Sequence, residues 1–193
     1  MFAVSPRTAS VVLAASLAVT PLALPASASA AAKPCLLGKW KLTKYSMNAK
    51  GPGSKATSWG GQGVRLTVAE KSVTYDFGGS KPIIVKGFSD GEKYDMKTTY
   101  RKRLTLKSTL KGAKKGTLAL KPKSAKGDAR AALVMNGAPF ITYSVAKVYR
   151  EGSWEPVAPT RARYTCTAKT ARFKMTETDE SGTGTVVLDY RRL

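Results

Sequence analysis

The strongest constraint on this chain is a period-two alternation of apolar and polar residues in short runs. Val64, Leu66 and Val68 alternate with Arg65, Thr67 and Ala69, and Val73, Tyr75 and Phe77 alternate with Ser72, Thr74 and Asp76. A strand turns successive side chains to opposite faces, so this pattern makes one face buried and one face wet. Glu70-Lys71 separates the two runs and marks a hairpin. The same period recurs through Leu104/Leu106/Leu110, Leu118/Leu120, Ile141/Tyr143/Val145, Ala162/Tyr164/Cys166, Phe173/Met175 and Val186/Leu188/Tyr190, and no window sustains a helical period. The runs predict an all-β domain, a single antiparallel up-and-down β-barrel of about 8–10 strands. A helical turn is expected at Pro34–Leu37. Asp128–Met135 fits a short helix and a strand equally well, and the Gly-rich stretch Asn48–Gly63 reads as a long loop holding Trp59.

Residues 1–30 have the layout of a secretory signal peptide. A short start carrying Arg7 precedes the apolar stretch Val11–Ala26, and small residues follow at 26–32. The expected cut falls after Ala30, with Ala32 as the other candidate. That leaves residues 31–193 as one domain, with no membrane-spanning segment in the mature chain. The apolar stretch is broken by Pro21 and is short for a span. Export also pairs the two cysteines: outside the cytosol, Cys35 and Cys166 are expected to form a disulfide.

Charge is one-sided, with 33 Lys and Arg against 12 Asp and Glu, a net +21. Residues 1–30 contain Arg7 as their only charged residue, so the mature chain keeps +20. Residues 97–126 carry no acid at all, and Arg101, Lys102, Arg103, Lys107, Lys111, Lys114 and Lys115 are the candidate anion-binding surface. Anionic polymers outside the cell are the matching partners: cell-wall polymers, acidic polysaccharide or phospholipid headgroups. Dedicated nucleic-acid binding is not expected, because aromatic residues do not interleave with the basic ones. The expected place is outside the cell, either free or held to the envelope by charge.

The sequence contains no His. That removes Ser-His-Asp and Cys-His catalysis and His-based metal sites. Ser108/Lys111 and Ser144/Lys147 match Ser-x-x-Lys, but both read as strand positions, where a separation of three turns the side chains apart. The acidic groups Glu177/Asp179/Glu180 and Asp90/Glu92/Asp95 read as turn residues. No catalytic residue, metal site or cofactor is therefore expected, and the chain does not read as an enzyme.

Leu37-Gly38-Lys39-Trp40, after a possible helical turn, resembles the Gly-x-Trp opening of the first strand in lipocalins and lipocalin-like secreted bacterial proteins. In that family the Trp packs at the closed end of the barrel against a basic residue of the last strand. The resemblance therefore implies structural roles for Gly38 and Trp40, with Arg191 or Arg192 as the partner. It also implies a small, partly apolar ligand held in the barrel. Tyr75, Phe77, Tyr143 and Phe173 are the interior candidates and Trp59 the candidate at the mouth. Each of the four fits a solid core equally well, since a barrel of about eight strands is just wide enough to go either way. Binding through the basic outer surface is the alternative function, and a protein-directed inhibitory loop at Glu151–Thr160 is a weaker one.

Overall fold

The computed structural model describes residues 33–153, 155–180 and 182–193. The proposed signal peptide and Trp154 lie outside the described residues. Fourteen strands account for most of the described residues: β1 (Gly38–Gly51), β2 (Ser54–Gly60), β3 (Arg65–Val68), β4 (Ser72–Asp76), β5 (Ile83–Ser89), β6 (Glu92–Arg101), β7 (Arg103–Lys111), β8 (Lys115–Leu120), β9 (Lys126–Gly127), β10 (Arg130–Met135), β11 (Ala138–Ser144), β12 (Arg161–Cys166), β13 (Thr170–Asp179) and β14 (Gly182–Arg192). One α-helix, α1 (Val145–Arg150), and a 3₁₀ turn at Pro122–Ser124 complete the described elements.

All ladders are antiparallel, and eight strands close into a barrel. Hydrogen-bonded neighbours run β3-β4-β7-β8-β12-β13-β14-β1, and β1 returns to β3. The remaining sheet grows from the other half of β1, in the order β2-β5-β6-β10-β11. One 14-residue strand serves both parts. Gly38–Lys41 pair with β3, while Ser46–Gly51 pair with β2. A bulge between Leu42 and Lys44 separates the two halves and turns the strand. The barrel is thus closed at one end and flares into an open, curved sheet at the other.

The strands exceed the expected number because long runs are bent. β2 and β3 are separated by Gly60–Gly63, and β6 and β7 by Lys102, which has φ 66. The ladder continues across these bends: Phe77 N–H donates to Lys102 O at 2.9 Å and Lys81 N–H to Gln62 O at 2.8 Å. Other differences have local causes. Asn48–Gly63 is no long loop but the β1/β2 hairpin, because alternate Ala49, Ala56 and Ser58 have an inner face to cover. Ile83–Arg101 forms the β5/β6 hairpin, with Glu92 and Asp95 on a strand and Asp90 at the turn. Asp128–Met135 resolves to strand from Arg130 onward. Val145 ends the strand reading early: Ser144 caps α1, its Oγ accepting Lys147 N–H at 3.4 Å. Ser144 thus ends β11 and caps α1, which carries Lys147, whose Nζ pairs with Glu151 at 3.6 Å.

The closed end is held where the chain begins and ends. The indole N–H of Trp40 donates to Leu36 O at 2.8 Å, and Trp40 is fully buried. The guanidinium carbon of Arg192 sits 4.2 Å from the indole ring centre. Its N–H groups donate to Cys35 O at 2.6 Å, Leu37 O at 3.0 Å and Ala168 O at 2.6 Å. Gly38 has φ +126, and a Cβ there would lie 2.5 Å from an Arg192 nitrogen, so only glycine admits the fork. Cys35 and Cys166 are bonded, with Cα atoms 6.0 Å apart and a sequence separation of 131. The chain-entropy account credits a loop of that length with about 5 kcal/mol as an upper figure.

Replacing Arg192 by Ala removes three charge-assisted hydrogen bonds and the stacked cation at once. A stability loss of about 3 kcal/mol is expected in denaturant titrations with the disulfide intact. Arg192→Lys should restore only part of it, because an ammonium cannot reproduce the planar fork.

Candidate functional site

The inner faces of the strands change character along the barrel. At the closed end they carry Leu42, Leu66, Leu104, Leu106 and Leu188, all at most 1% exposed. Aromatic rings stand beside them as direct cross-strand partners, Tyr75 opposite Leu66 and Leu104, Phe173 opposite Leu188 and Tyr190 opposite Leu42. Phe173 lies edge-on to Tyr190 at 5.2 Å and to Tyr164 at 6.4 Å, and Phe77 lies 6.2 Å from Tyr75 and 5.2 Å from Tyr100. Of the interior candidates, Tyr75, Phe77 and Phe173 therefore belong to this packed interior, each fully buried.

One cross-strand row further up, the open end begins. Met175, Val186, Met47, Ser58, Val85, Met96 and Met135 are successive direct partners on seven strands, from β13 round to β10. Direct partners share a face, so this is one line of side chains on the inner surface. It holds every methionine of the described chain. Met175, Val186 and Ser58 are buried, whereas Met47, Val85, Met96 and Met135 are half-buried, Met47 and Val85 packing against the core. Ile141 on β11 and its partner Leu133 continue the apolar surface, and Ile141 is exposed. Gly87 leaves room for Tyr94, its direct partner on β6, because a Cβ there would meet the Tyr94 hydroxyl at 2.5 Å. Flexible thioethers on a concave, unsealed face suit a surface that adapts to apolar groups of varied shape.

The floor beneath this row is polar. It is built by α1 and the segment after it, which stop the packed interior. Val145, Ala146 and Tyr149 of α1 are buried, as are Val157 and Ala158. The hydroxyl of Tyr149 donates to Ala158 O and accepts Glu155 N–H at 3.2 Å, fixing the turn. Glu155 is 7% exposed. Its carboxylate accepts the Tyr100 hydroxyl at 2.5 Å and the Tyr143 hydroxyl at 2.8 Å. Tyr100 and Tyr143 both flank Ala131 in register, which aims them at one point. Burial raises the Glu155 carboxyl above its ordinary 4.5, while the two phenol hydrogen bonds pull it down. Burial also pushes the Tyr45 phenol up to about 12 and raises Tyr100, Tyr143 and Tyr149, so these phenols remain hydrogen-bond donors at neutral pH. The hydroxyls of Tyr45 and Ser58 approach one another without reaching hydrogen-bond geometry, and neither has another partner among the described residues.

The site thus joins a half-buried apolar wall to a floor with one carboxylate and several hydroxyls. Of the sequence candidates, Tyr143 sits in this floor. Trp59 does not sit at the mouth: it lies on β2, pairs with Ser46 and Ile84 on the outer face and is 44% exposed. Glu155 and the methionine row are absent from the sequence reading. The usable signals were a lone acid next to Pro156 in an apolar stretch and the spacing of Met47 two residues after Tyr45. No protein-family model, curated protein or solved structure matches this chain.

Outside the barrel, the basic candidates fall into three places. Arg101, Lys102 and Arg103 surround the β6/β7 bend, where Lys102 pairs with Asp128 at 3.5 Å and Arg103 with Asp76 at 3.1 Å. Lys111, Lys114 and Lys115 are exposed at the β7/β8 hairpin. Lys107 stands on the outer face of β7.

Glu155 makes stability depend on pH with a defined sign. Its carboxyl binds a proton more tightly in the folded chain, so its favourable contribution is complete below pH 4.5 and is lost as pH rises through the raised native value. Denaturant titrations from about pH 4 to about pH 8 should show Glu155→Gln gaining on the parent protein as pH rises. A stability difference that stays flat over that range would contradict the assignment.

Proposed function

We propose that this is an exported, non-enzymatic binding protein that holds a small amphiphile at the open end of its barrel. The apolar body lies along Met47, Val85, Met96 and Met135, and a hydrogen-bond-donating head points to Glu155. The single observation carrying this reading is the row of direct cross-strand partners that gathers all four described methionines on one inner face and leaves three of them only half-buried. Two further features support it. Gly38-Lys39-Trp40 with Arg192 and an eight-strand ring is what lipocalin-like proteins would share with this chain. The signal-peptide-like start and the Cys35–Cys166 bridge fit export.

The packed lower interior narrows the ligand. Tyr75, Phe77 and Phe173 occupy the space that a deep-seated ligand would need, so the ligand sits above Glu155 rather than below it. Charge supplies the test of the head group. The protein's overall field attracts anions, whereas the floor repels them, since a second carboxylate beside Glu155 would be an unpaired like charge.

Isothermal titration of the secreted protein with decylamine, decanol and decanoate separates the two influences. The amine and the alcohol should bind at least about ten-fold more tightly than decanoate. Met96→Lys, which places a charge in the wall, should abolish binding while the barrel stays folded. Tightest binding of decanoate, or binding that ignores Met96→Lys, would contradict the proposal.

A further inference from the structure

The outer surface carries a second feature that the barrel's open end does not use. A groove of about 1050 Å³ runs between β7, the β3/β4 turn and the 3₁₀ turn at Pro122–Ser124. Lys71, Lys107, Lys121, Lys123 and Lys126 line it, with Glu70 as its single acid. All five lysines are exposed, and none makes an ion pair among the described residues, unlike Lys86, Lys102, Arg103, Lys147 and Arg172. The backbone holds their spacing. Ser124 accepts Lys107 N–H at 2.8 Å and donates to Lys121 O at 2.6 Å, which clamps the 3₁₀ turn against β7. Ser108 also lines the groove, is 7% exposed, and its hydroxyl has no partner among the described residues.

We infer that this groove binds a linear chain of phosphates: a polyphosphate or a phosphodiester polymer without bases. Five unpaired ammonium groups around one concave surface need several negative charges at once, more than a single small anion brings. The cations are all lysines, whose compact ammonium groups bind phosphate oxygens as point charges, without the bidentate geometry an Arg would impose. No aromatic side chain lines the groove, so stacked bases gain nothing there. Its place on the outer face of β7 leaves the open end of the barrel free, so both sites can be filled together.

The test uses the mature, disulfide-bonded protein and a linear inorganic polyphosphate, titrated over a range of salt. One variant carries Lys107→Gln, Lys121→Gln and Lys123→Gln. A control of equal charge carries Lys55→Gln, Lys93→Gln and Lys174→Gln, exposed residues on β2, β6 and β13 that do not line the groove. The groove variant should lose at least about ten-fold in affinity near physiological salt, and its log-affinity against log-salt slope should fall by about 2, as expected for three lost phosphate contacts. The control should lose no more than about two-fold. Thermal midpoints of both variants should match the parent, because the altered side chains are exposed. Equal losses in the two variants would overturn the inference and leave only diffuse charge. So would a single-stranded oligonucleotide or a sulfated polysaccharide of equal charge that competes as well as polyphosphate.

Discussion

The structure depends on β1 being held in two ladders at once. Its first half closes the barrel against β3 and β14, and its second half carries the sheet outward through β2. The first half has only four residues paired to β3, a short ladder to hold a closed ring. Arg192 makes up the difference. It binds carbonyls at Cys35, Leu37 and Ala168 and covers Trp40, so the last strand, the entry to the first and the β12/β13 turn are joined by one side chain. The Cys35–Cys166 bridge fastens the same corner covalently. With that end fixed, the other end can flare and leave part of its inner face uncovered.

The contrast between the two ends is a contrast of costs. A closed ring buries its inward leucines fully, and each such side chain contributes roughly 2 kcal/mol relative to exposure. The open end forgoes part of that gain at Met47, Met96 and Met135, and it retains a carboxylate in a place that raises its pKa. Burying a charge whose partners are two neutral phenols is a local conflict that a purely structural solution would avoid. A partly covered apolar row on the same inner face as the tyrosines that hold that carboxylate suits a ligand-binding face, and the two features together argue for function more strongly than either alone.

Much of the closed barrel was legible in the sequence because its residues obey the simplest rule. Val64 to Val68 and Val73 to Phe77 alternate cleanly on either side of Glu70-Lys71, and the structure pairs the two runs as the β3/β4 hairpin. The terminal strands behave likewise, and the resemblance offered Arg191 or Arg192 as the partner of Trp40, of which the structure stacks Arg192 on the indole. The open end was not legible for physical reasons. Its strands have a half-buried inner face, so Ala49, Ala56, Gly87 and Thr98 stand where a core strand would show large apolar residues, and the periodic signal fades. Gly60–Gly63 looked like loop because glycine is needed at the bend between two strands. Val145 and Ala146 continued the alternation of β11 by chance, hiding the cap at Ser144 and the start of α1. Glu155 gave no pattern, because its role arises from two tyrosines, one 55 and one 12 residues earlier.

The central claim is that the methionine row is a binding face and not leftover core. It has a direct probe, because the described methionines all lie on that row. Methionine labelled at its methyl carbon gives one NMR signal for each of Met47, Met96, Met135 and Met175 in protein expressed as residues 31–193. Addition of decylamine below its aggregation limit should shift the Met47, Met96 and Met135 signals saturably and with a common affinity, with Met175, which is buried, moving least. Four methyl signals that stay in place while the amine binds elsewhere would contradict the account.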